Sequence, residues 1–387
     1  MSLTEKTTTS WFARLKSALV MILVGIVLVC GCIWLLAWNE GRSVATYRAL
    51  VEGAGLVASV ESTSVDPANE GRLVHISGAI RPDGVPADDE LDMSADGAFA
   101  LRRAVEMYQW VQQEKSETQK QLGGSEETVT TYSYVKEWRS DAVDSGDFRQ
   151  PGHDNPEMPI EAAFFTVDSA ILGAFRIDGD TVAALGSSKA MALTPDDAAQ
   201  LGEIIGLDGS AAVLNGWATF SDDAKLPAIG DLRFRFERVD LDAASFVGAK
   251  RGSELVGYRA SNGRTLFLSE AGIVDAARMF DAAQSENTLI TWLIRIGGLV
   301  GIFVGFAMML SILGVIADVV PFIGAIVRFG TGAVALVLTM LIGPLVIAIA
   351  WVAYRPLVAI GVLAAGVLLA AGIGYLRRGK QAVPATA

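Results

Sequence analysis

Hydrophobic residues are concentrated in four uncharged runs, one near the N-terminus and three in the C-terminal third of the chain. An α-helix needs about 20 mainly apolar residues to cross the hydrocarbon core of a bilayer, so each run predicts a transmembrane helix. The predicted helices cover 17–38, 288–317, 331–354 and 356–376. Because only Arg355 separates the last two runs, they are predicted to form a helical hairpin that turns at Tyr354, Arg355 and Pro356.

The first apolar run has the position of a signal peptide but not its pattern. A signal peptide has an apolar core of about 7–15 residues, followed by small residues at the cleavage site. Here the run is longer and ends in bulky residues, the last of them Trp38. This favours a retained helix followed by a membrane-exit motif, in which Gly41 lets the chain leave the helix in a left-handed conformation. The motif is interpreted as a polar segment that packs the domain onto the membrane, with ligand binding as the alternative. The motif consists of Asn39, Glu40, Gly41 and Arg42.

Between the first two spans, residues 39–287 show the alternation of apolar and polar residues that is typical of half-buried strands. An Asn-Gly pair at 262–263 indicates a tight hairpin, and a longer hairpin is predicted around Gly123 to Ser125. One helix is predicted to begin at Thr194, whose side chain can cap it, and another to run into the second span. The predicted fold class is α+β: one N-terminal transmembrane helix, a large domain rich in antiparallel sheet, and a C-terminal bundle of three transmembrane helices.

Charge indicates an orientation and argues against one class of partner. The chain carries 43 acidic and 31 basic residues; 39–287 has a net charge of −19, whereas the rest of the chain has a net charge of +7. An acidic domain repels nucleic acid, so no nucleic-acid partner is expected. Basic residues cluster in the tails 1–16 and 377–387, which the positive-inside rule places in the cytoplasm. Residues 39–287 are then extracytoplasmic, and 318–330 form a cytoplasmic loop in the membrane interface.

Candidate catalytic and metal-binding residues are few. Neither His75 nor His153 has the histidine or cysteine companions expected of a zinc site or of nucleophilic catalysis. The segment Asp88 to Asp92 lacks the spacing of an EF-hand loop and is interpreted as a solvated acidic loop, with a weak cation site as the alternative. Cys30 and Cys32 lie two residues apart in the first span and are poor partners for a disulfide or a metal. The sequence therefore predicts no catalytic residue, no metal and no cofactor.

Three sets of residues are candidates for packing and self-assembly. Aromatic residues at even spacing on both arms of the longer hairpin form either a cross-strand packed cluster or an exposed assembly surface. Glycines at small-xxx-small spacing in the second span suit close contact between helices. In the interfacial loop, two charged residues are expected to anchor the ends and a proline to break the chain. The aromatic residues are Tyr108, Trp110, Tyr132, Tyr134 and Trp138, and the glycines are Gly297, Gly301 and Gly305. The charged residues of the loop are Asp318 and Arg328, and its proline is Pro321.

A series of short motifs resembles the LUMA family, also called the transmembrane protein 43 family. In chain order they are NEGR at 39–42, LVHISGAIRP at 73–82, LRRAVEMYQWV at 101–111, YSYVKEWRSD at 132–141, HDNP at 153–156, DVVPFIG at 318–324 and AWVAYRP at 350–356. The resemblance implies one N-terminal span, a large lumenal or periplasmic domain and a C-terminal membrane bundle, with no catalytic residues. It also implies, for animal members, residence in the endoplasmic reticulum and inner nuclear membrane, with links to self-association and nuclear-envelope organisation.

These features lead to an expected function of a non-enzymatic membrane scaffold. It would self-associate and organise membrane or envelope protein complexes through its extracytoplasmic domain. The alternative is a membrane-anchored periplasmic hydrolase that acts on envelope material. The expected partners are the lipid bilayer, further copies of the chain in a homo-oligomer, and other membrane proteins. A composition high in Ala, Gly and Asp but low in Lys suggests a bacterial inner-membrane protein with both termini cytoplasmic.

Overall fold

A computed structural model describes residues 3–207, 211–223, 226–354 and 356. The chain divides into two compact units. The sheet unit comprises residues 1–7, 49–118 and 128–283, and the helical unit comprises 8–48, 119–127 and 284–387. The predicted fourth span, 356–376, and the tail 377–387 lie outside the described residues except for Pro356.

The described residues form five α-helices and nineteen strands. The helices are α1 (Trp11–Leu56), α2 (Gly179–Ala183), α3 (Pro195–Ile205), α4 (Ala276–Ala317) and α5 (Pro321–Tyr354). The strands are β1 (Leu3–Thr9), β2 (Ala58–Ser59), β3 (Leu73–Asp83), β4 (Ala87–Asp88), β5 (Met93–Ser94), β6 (Ala100–Lys120), β7 (Glu126–Arg139), β8 (Ala163–Thr166), β9 (Ser169–Leu172), β10 (Phe175–Asp178), β11 (Ser187–Ala190), β12 (Ala211–Leu214), β13 (Trp217–Phe220), β14 (Leu232–Asp240), β15 (Ala243–Arg251), β16 (Glu254–Val256), β17 (Tyr258–Arg259), β18 (Thr265–Leu266) and β19 (Leu268–Ala271).

The larger sheet has eight strands and follows the order β1-β7-β6-β14-β13-β12, with β11 beside β14 and β8 beside β6. Strand β14 pairs antiparallel with β6, and Phe234 lies opposite Val105. Both residues are fully buried, together with Phe236 and Leu101, because alternate positions of each strand point to one face. The predicted long hairpin is formed by β6 and β7, and β14 shows the alternation of buried and partly buried positions that is expected of strands in 39–287.

The second sheet has seven strands in the order β19-β15-β16-β10-β9-β3-β2, with β15 also pairing β3. Most of its pairs are antiparallel, and Phe246 of β15 lies opposite Ile76 of β3 in its core. The Asn-Gly hairpin is present, with Tyr258 opposite Leu266. Helix α3 begins as predicted, because Thr194 and Asp197 form a reciprocal capping box with Pro195 at the first turn. The predicted α+β class is therefore confirmed.

Three of the described helices, α1, α4 and α5, are long and apolar enough to cross a membrane. Two of their boundaries differ from the prediction. Helix α1 does not end after Trp38 but continues to Leu56, so Gly41 is helical and not a left-handed exit. Helix α5 begins at Pro321, so most of the predicted interfacial loop is helical. Helix α4 begins at Ala276, consistent with the predicted helix that runs into the second span.

Candidate functional site: buried charge clusters of the helical unit

Helices α1 and α4 pack closely because glycines of α4 face α1. A β-carbon on Gly298 would lie 2.6 Å from Leu36 Cδ2, and one on Gly301 would overlap Cys32 Sγ. A β-carbon on Gly305 would lie 2.6 Å from Val29 Cγ2. Of the three glycines predicted for this contact, Gly301 and Gly305 face α1, but Gly297 does not: a β-carbon there would point into open space. Gly298 faces α1 instead. Positions 298, 301 and 305 share one helix face, as their spacing of three and four residues requires.

A buried carboxylate joins all three apolar helices at one end of this bundle. Glu40 of α1 is fully buried and accepts two hydrogen bonds from Arg295 of α4, at 2.7 and 2.8 Å. It accepts a third from the indole nitrogen of Trp351 of α5, at 3.0 Å. The Arg295 guanidinium also lies 4.9 Å from the centre of the Trp292 ring. This bidentate geometry is the strongest form of arginine–carboxylate pair, and it is further secured by aromatic contacts.

The other residues of the predicted exit motif continue the polar contact between α1 and α4. The buried Asn39 side chain donates to the Thr291 carbonyl at 3.1 Å. Arg42 donates to Asn39 Oδ1, and also to Asn287 Oδ1 at 3.3 Å. Asn287 in turn donates to the Ser43 carbonyl at 3.1 Å. The motif is therefore a helix–helix contact rather than the end of a helix.

Gly41 brings the predicted helical-hairpin turn against this motif. A β-carbon at Gly41 would lie 2.8 Å from Cζ of Tyr354, the last residue of α5, so a larger residue would displace that ring. The Tyr354 carbonyl accepts a hydrogen bond from Arg48 of α1 at 3.2 Å. The structure thus brings together two predicted sites, the exit motif and the turn at Tyr354, Arg355 and Pro356, of which Arg355 lies outside the described residues.

A second buried carboxylate, Asp318, lies at the other end of α4. It is fully buried between α4 and α5 and binds three cations: Arg14 of α1, Lys120 at 2.8 Å, and Arg328 of α5. Arg14 also pairs with Glu126 at 2.9 Å. Burial alone raises the pKa of Asp318, but the hydrogen bonds from the three cations outweigh it and lower the pKa to about 2.

The Asp318 cluster contains the tip of the hairpin, residues 119–127. Lys120 and Glu126 belong to this segment, and the Gly124 carbonyl accepts a hydrogen bond from Arg14. Asp318 and Arg328 were expected to anchor the two ends of the interfacial loop, and in the structure they bind each other. The contacts to Arg14 and Lys120 were not predicted, because nothing in a single sequence links positions about 200 to 300 residues apart.

In the sheet unit, the aromatic candidates pack against other side chains of the same chain. Tyr108 and Trp138 lie 5.3 Å apart between ring centres. Tyr134 stacks on His153 at 3.9 Å, and Trp110 meets the same imidazole edge-on at 4.6 Å. Tyr132 is buried. Tyr108 and Trp138 lie on β6 and β7, so their contact is of the cross-strand kind that was one of the two interpretations, whereas Tyr134 and Trp110 pack on a loop residue.

The HDNP motif fixes a loop to strand β6. Asn155 accepts a hydrogen bond from the Trp110 backbone nitrogen at 2.7 Å and donates to the Trp110 carbonyl at 2.9 Å. The Asn155 side-chain amide therefore satisfies both the N–H and the carbonyl of Trp110, as the backbone of a neighbouring strand would. This places His153 between Trp110 and Tyr134 and accounts for the motif by packing.

In the acidic segment Asp88 to Asp92, Asp89, Glu90 and Asp92 are exposed, as expected of a solvated loop, but Asp88 is not. Asp88 is fully buried and binds Arg103 Nη1 through both oxygens, at 2.7 and 3.0 Å. Glu90 binds the other terminal nitrogen of Arg103 at 2.8 Å. An arginine therefore occupies the place that a cation would need. His75 is likewise buried, with Nε2 2.8 Å from the Val274 carbonyl.

Together these features define an integral membrane protein whose apolar helices are joined by buried charge pairs and whose chain also carries a sheet-rich unit. The chain belongs to the transmembrane protein 43 family: the family model described as Transmembrane protein 43 matches residues 107–356. Transmembrane protein 43 of Mus musculus is 32% identical over 92% of this chain and 90% of its own length. The Homo sapiens protein is 32% identical over 89% and 87%, and the Drosophila melanogaster homolog 29% over 91% and 93%. No solved structure matches the chain.

Proposed function

We propose that this protein is a non-enzymatic membrane scaffold that self-associates and organises membrane protein complexes through its sheet unit. The observation that carries the proposal is the Glu40 cluster. Polar residues within membrane helices usually mark a binding or transport path, but here Glu40, Arg295 and Trp351 satisfy one another. The cluster therefore holds α1, α4 and α5 in one arrangement, which suits a protein that positions others.

Self-association is tested by co-purification of two differently tagged full-length copies. Copies expressed together are expected to purify together at a fixed ratio, and the complex should give one discrete mass in nanodiscs. Copies mixed after solubilisation serve as the control, because chance association in detergent would appear there too. A monomeric mass in nanodiscs, with no co-purification above that control, would contradict the scaffold proposal.

The proposed topology is a bacterial inner-membrane protein with cytoplasmic termini and 39–287 outside the cytoplasm. The Asp318 cluster bears directly on it. Arg14 and Lys120 bind one carboxylate, so within this cluster they lie on the same side of the membrane. The proposed boundaries place 1–16 and the segment 119–127 on opposite sides. The Asp318–Lys120 contact and the proposed extracytoplasmic segment 39–287 are therefore incompatible, and an accessibility experiment has to decide between them.

Single cysteines provide that experiment, because Cys30 and Cys32 are the chain's two cysteines and can be replaced by alanine. Leu122→Cys reports the hairpin tip, where the leucine is 84% exposed. Ser10→Cys reports the N-terminal side, and Ile273→Cys, at a position 74% exposed, reports the sheet unit. If a membrane-impermeant maleimide labels position 122 together with 273 and not with 10, the proposed boundaries stand and the Asp318–Lys120 contact is absent in the membrane. Labelling of 122 together with 10 would contradict the boundary 39–287.

For the hydrolase alternative, we propose one cavity among the described residues of the sheet unit as the place to act. A cavity of about 660 Å³ is lined by Ser140, Asp141, Ser145 and Glu157, among others. Ser145 Oγ accepts a hydrogen bond from the Asn155 backbone at 3.0 Å. The test is release of soluble products from purified envelope material by the full-length protein. Activity that Ser145→Ala or Ser140→Ala abolishes would favour the hydrolase; activity equal to that of the buffer control would leave the scaffold proposal in place.

A further inference from the structure

An apolar groove runs along the helical unit between α4 and α5. Its volume is about 570 Å³, within the range of ligand pockets. Its lining includes Leu299 and Phe303 of α4, and Gly332, Leu336 and Met340 of α5. A single charged side chain, Arg328, contributes to its lining. The groove is therefore apolar along its length and cationic at one end.

The length of the groove fits one leaflet of a bilayer. Twelve residues separate Arg328 from Met340, which corresponds to about 18 Å of helix at 1.5 Å per residue. The hydrocarbon core of a bilayer is roughly 30 Å thick, so the groove extends over about half of it. Arg328 lies close to the end of the apolar helices, next to Asp318, where a headgroup would be. An acyl chain whose headgroup lies beside Arg328 would thus fill the groove from the same leaflet.

The charge around Arg328 favours an anionic headgroup. Its Nη1 binds Asp318, and the side chain is 38% exposed. The cluster holds three cations, Arg14, Lys120 and Arg328, against the two carboxylates of Asp318 and Glu126. It therefore carries one excess positive charge. A phosphate group is the natural complement to an arginine at this position.

We propose that this groove binds one anionic phospholipid, with an acyl chain along Gly332 and Leu336 and the phosphate at Arg328. The site differs from the general lipid contact of the helices in two ways: it is concave, and it selects a headgroup. Because the headgroup contact involves a residue of the Asp318 cluster, the lipid also supports the arrangement of α1, α4 and α5 at that end of the bundle. The inference does not depend on self-association.

Native mass spectrometry of the full-length protein with defined lipids tests the proposal. Phosphatidylglycerol is expected to be retained with about tenfold higher affinity than phosphatidylcholine of the same chains, which corresponds to about 1.4 kcal/mol. Arg328→Gln is expected to remove this difference. Gly332→Phe should prevent retention of both lipids, because a β-carbon at Gly332 points into open space of the groove.

Gly330→Phe is the matched control. Gly330 is also open at its β-carbon position but is not among the residues that line the groove, since two positions correspond to about 200° around the helix. It should bind both lipids as the parent does. Equal retention of the two lipids by the parent protein, or unchanged phosphatidylglycerol binding in Gly332→Phe, would overturn the proposal. So would a parent protein that retains no lipid, as expected if another segment or a second copy covers the groove.

Discussion

The two buried carboxylates of the helical unit, Glu40 and Asp318, are neutralised in different ways. Among the described residues Glu40 binds one cation, Arg295, whose side chain is only 11% exposed and donates two hydrogen bonds to Glu40. Asp318 has three cations, of which Lys120 and Arg328 are partly exposed and Arg14 has a second acceptor in Glu126. A buried ion pair contributes little by itself, but breaking one leaves an uncompensated charge. The cost of losing each carboxylate therefore depends on what its cations can bind instead.

The largest effect is expected from Glu40→Ala. Arg295 would lose both of its carboxylate hydrogen bonds while its guanidinium stays largely shielded from water beside Trp292 and Trp351. Loss of one partner of a buried ion pair costs about 3–5 kcal/mol of unfolding free energy. Thermal unfolding of the full-length protein in detergent, followed by tryptophan fluorescence, measures the change.

A double variant distinguishes a charge effect from a packing effect at this site. Glu40→Gln with Arg295→Met removes both charges and keeps similar side-chain volumes, so it should recover most of the stability that Glu40→Ala loses. If the double variant is as unstable as Glu40→Ala, the unpaired charge of Arg295 is not the cause and the comparison between the two clusters fails.

A smaller loss is expected from Asp318→Asn. The asparagine keeps the shape and one acceptor oxygen, Lys120 and Arg328 can turn toward water, and Arg14 keeps Glu126. The expected cost is about 1–3 kcal/mol, as for a buried hydrogen bond to a charged group. The same unfolding measurement applies. A cost equal to or above that of Glu40→Ala would show that the additional cations give no compensation.

The sequence predicts the elements of this protein better than it predicts these clusters. Apolar runs, the alternation in β14 and the Thr194 cap are local patterns, and each is present in the structure. The end of α1 was misplaced because an apolar run marks where a membrane lies, not where a helix stops. Between Trp38 and Leu56 there is no proline, and a glycine such as Gly41 costs a helix only about 1 kcal/mol.

The partners within the clusters could not be predicted, for a different reason. The charges of Glu40 and Asp318 are visible in the sequence, but Arg295 is 255 residues from Glu40 and Arg14 is 304 from Asp318. Contacts at such separations are set by how helices pack. Packing depends on which glycines of a helix face its neighbour. The sequence predicted Gly297, Gly301 and Gly305 for this face of α4, but in the structure Gly298 takes the place of Gly297.

Acid should weaken the Asp318 end of the bundle by no more than Asp318→Asn does. The pKa of Asp318 is lowered from its ordinary value of 3.8 to about 2. A depressed pKa means that the carboxylate contributes stability above pH 4, and that this contribution is lost as the pH falls toward 2. The difference in unfolding midpoint between the parent and Asp318→Asn should be constant from pH 7 to 4 and shrink below pH 4. A difference that shrinks already between pH 7 and 5 would contradict the three-cation contact.

The smallest effects are expected at the glycines that lie between the two clusters on α4. A β-carbon at Gly301 overlaps Cys32 Sγ, whereas one at Gly297 meets nothing within 4 Å. Gly301→Ala should therefore cost about 1 kcal/mol, since overpacking costs about 1–3 kcal/mol and the sulfur can rotate partly away. Gly297→Ala should cost nothing and raise stability by up to about 1 kcal/mol, because alanine is the better helix former and its methyl group is unobstructed. Because both variants add the same methyl group to one helix, their difference isolates the contact with α1. Equal effects would mean that α1 and α4 do not approach closely at Gly301. The stabilities of the Glu40 and Asp318 clusters would then not depend on the packing of α1 against α4 between them.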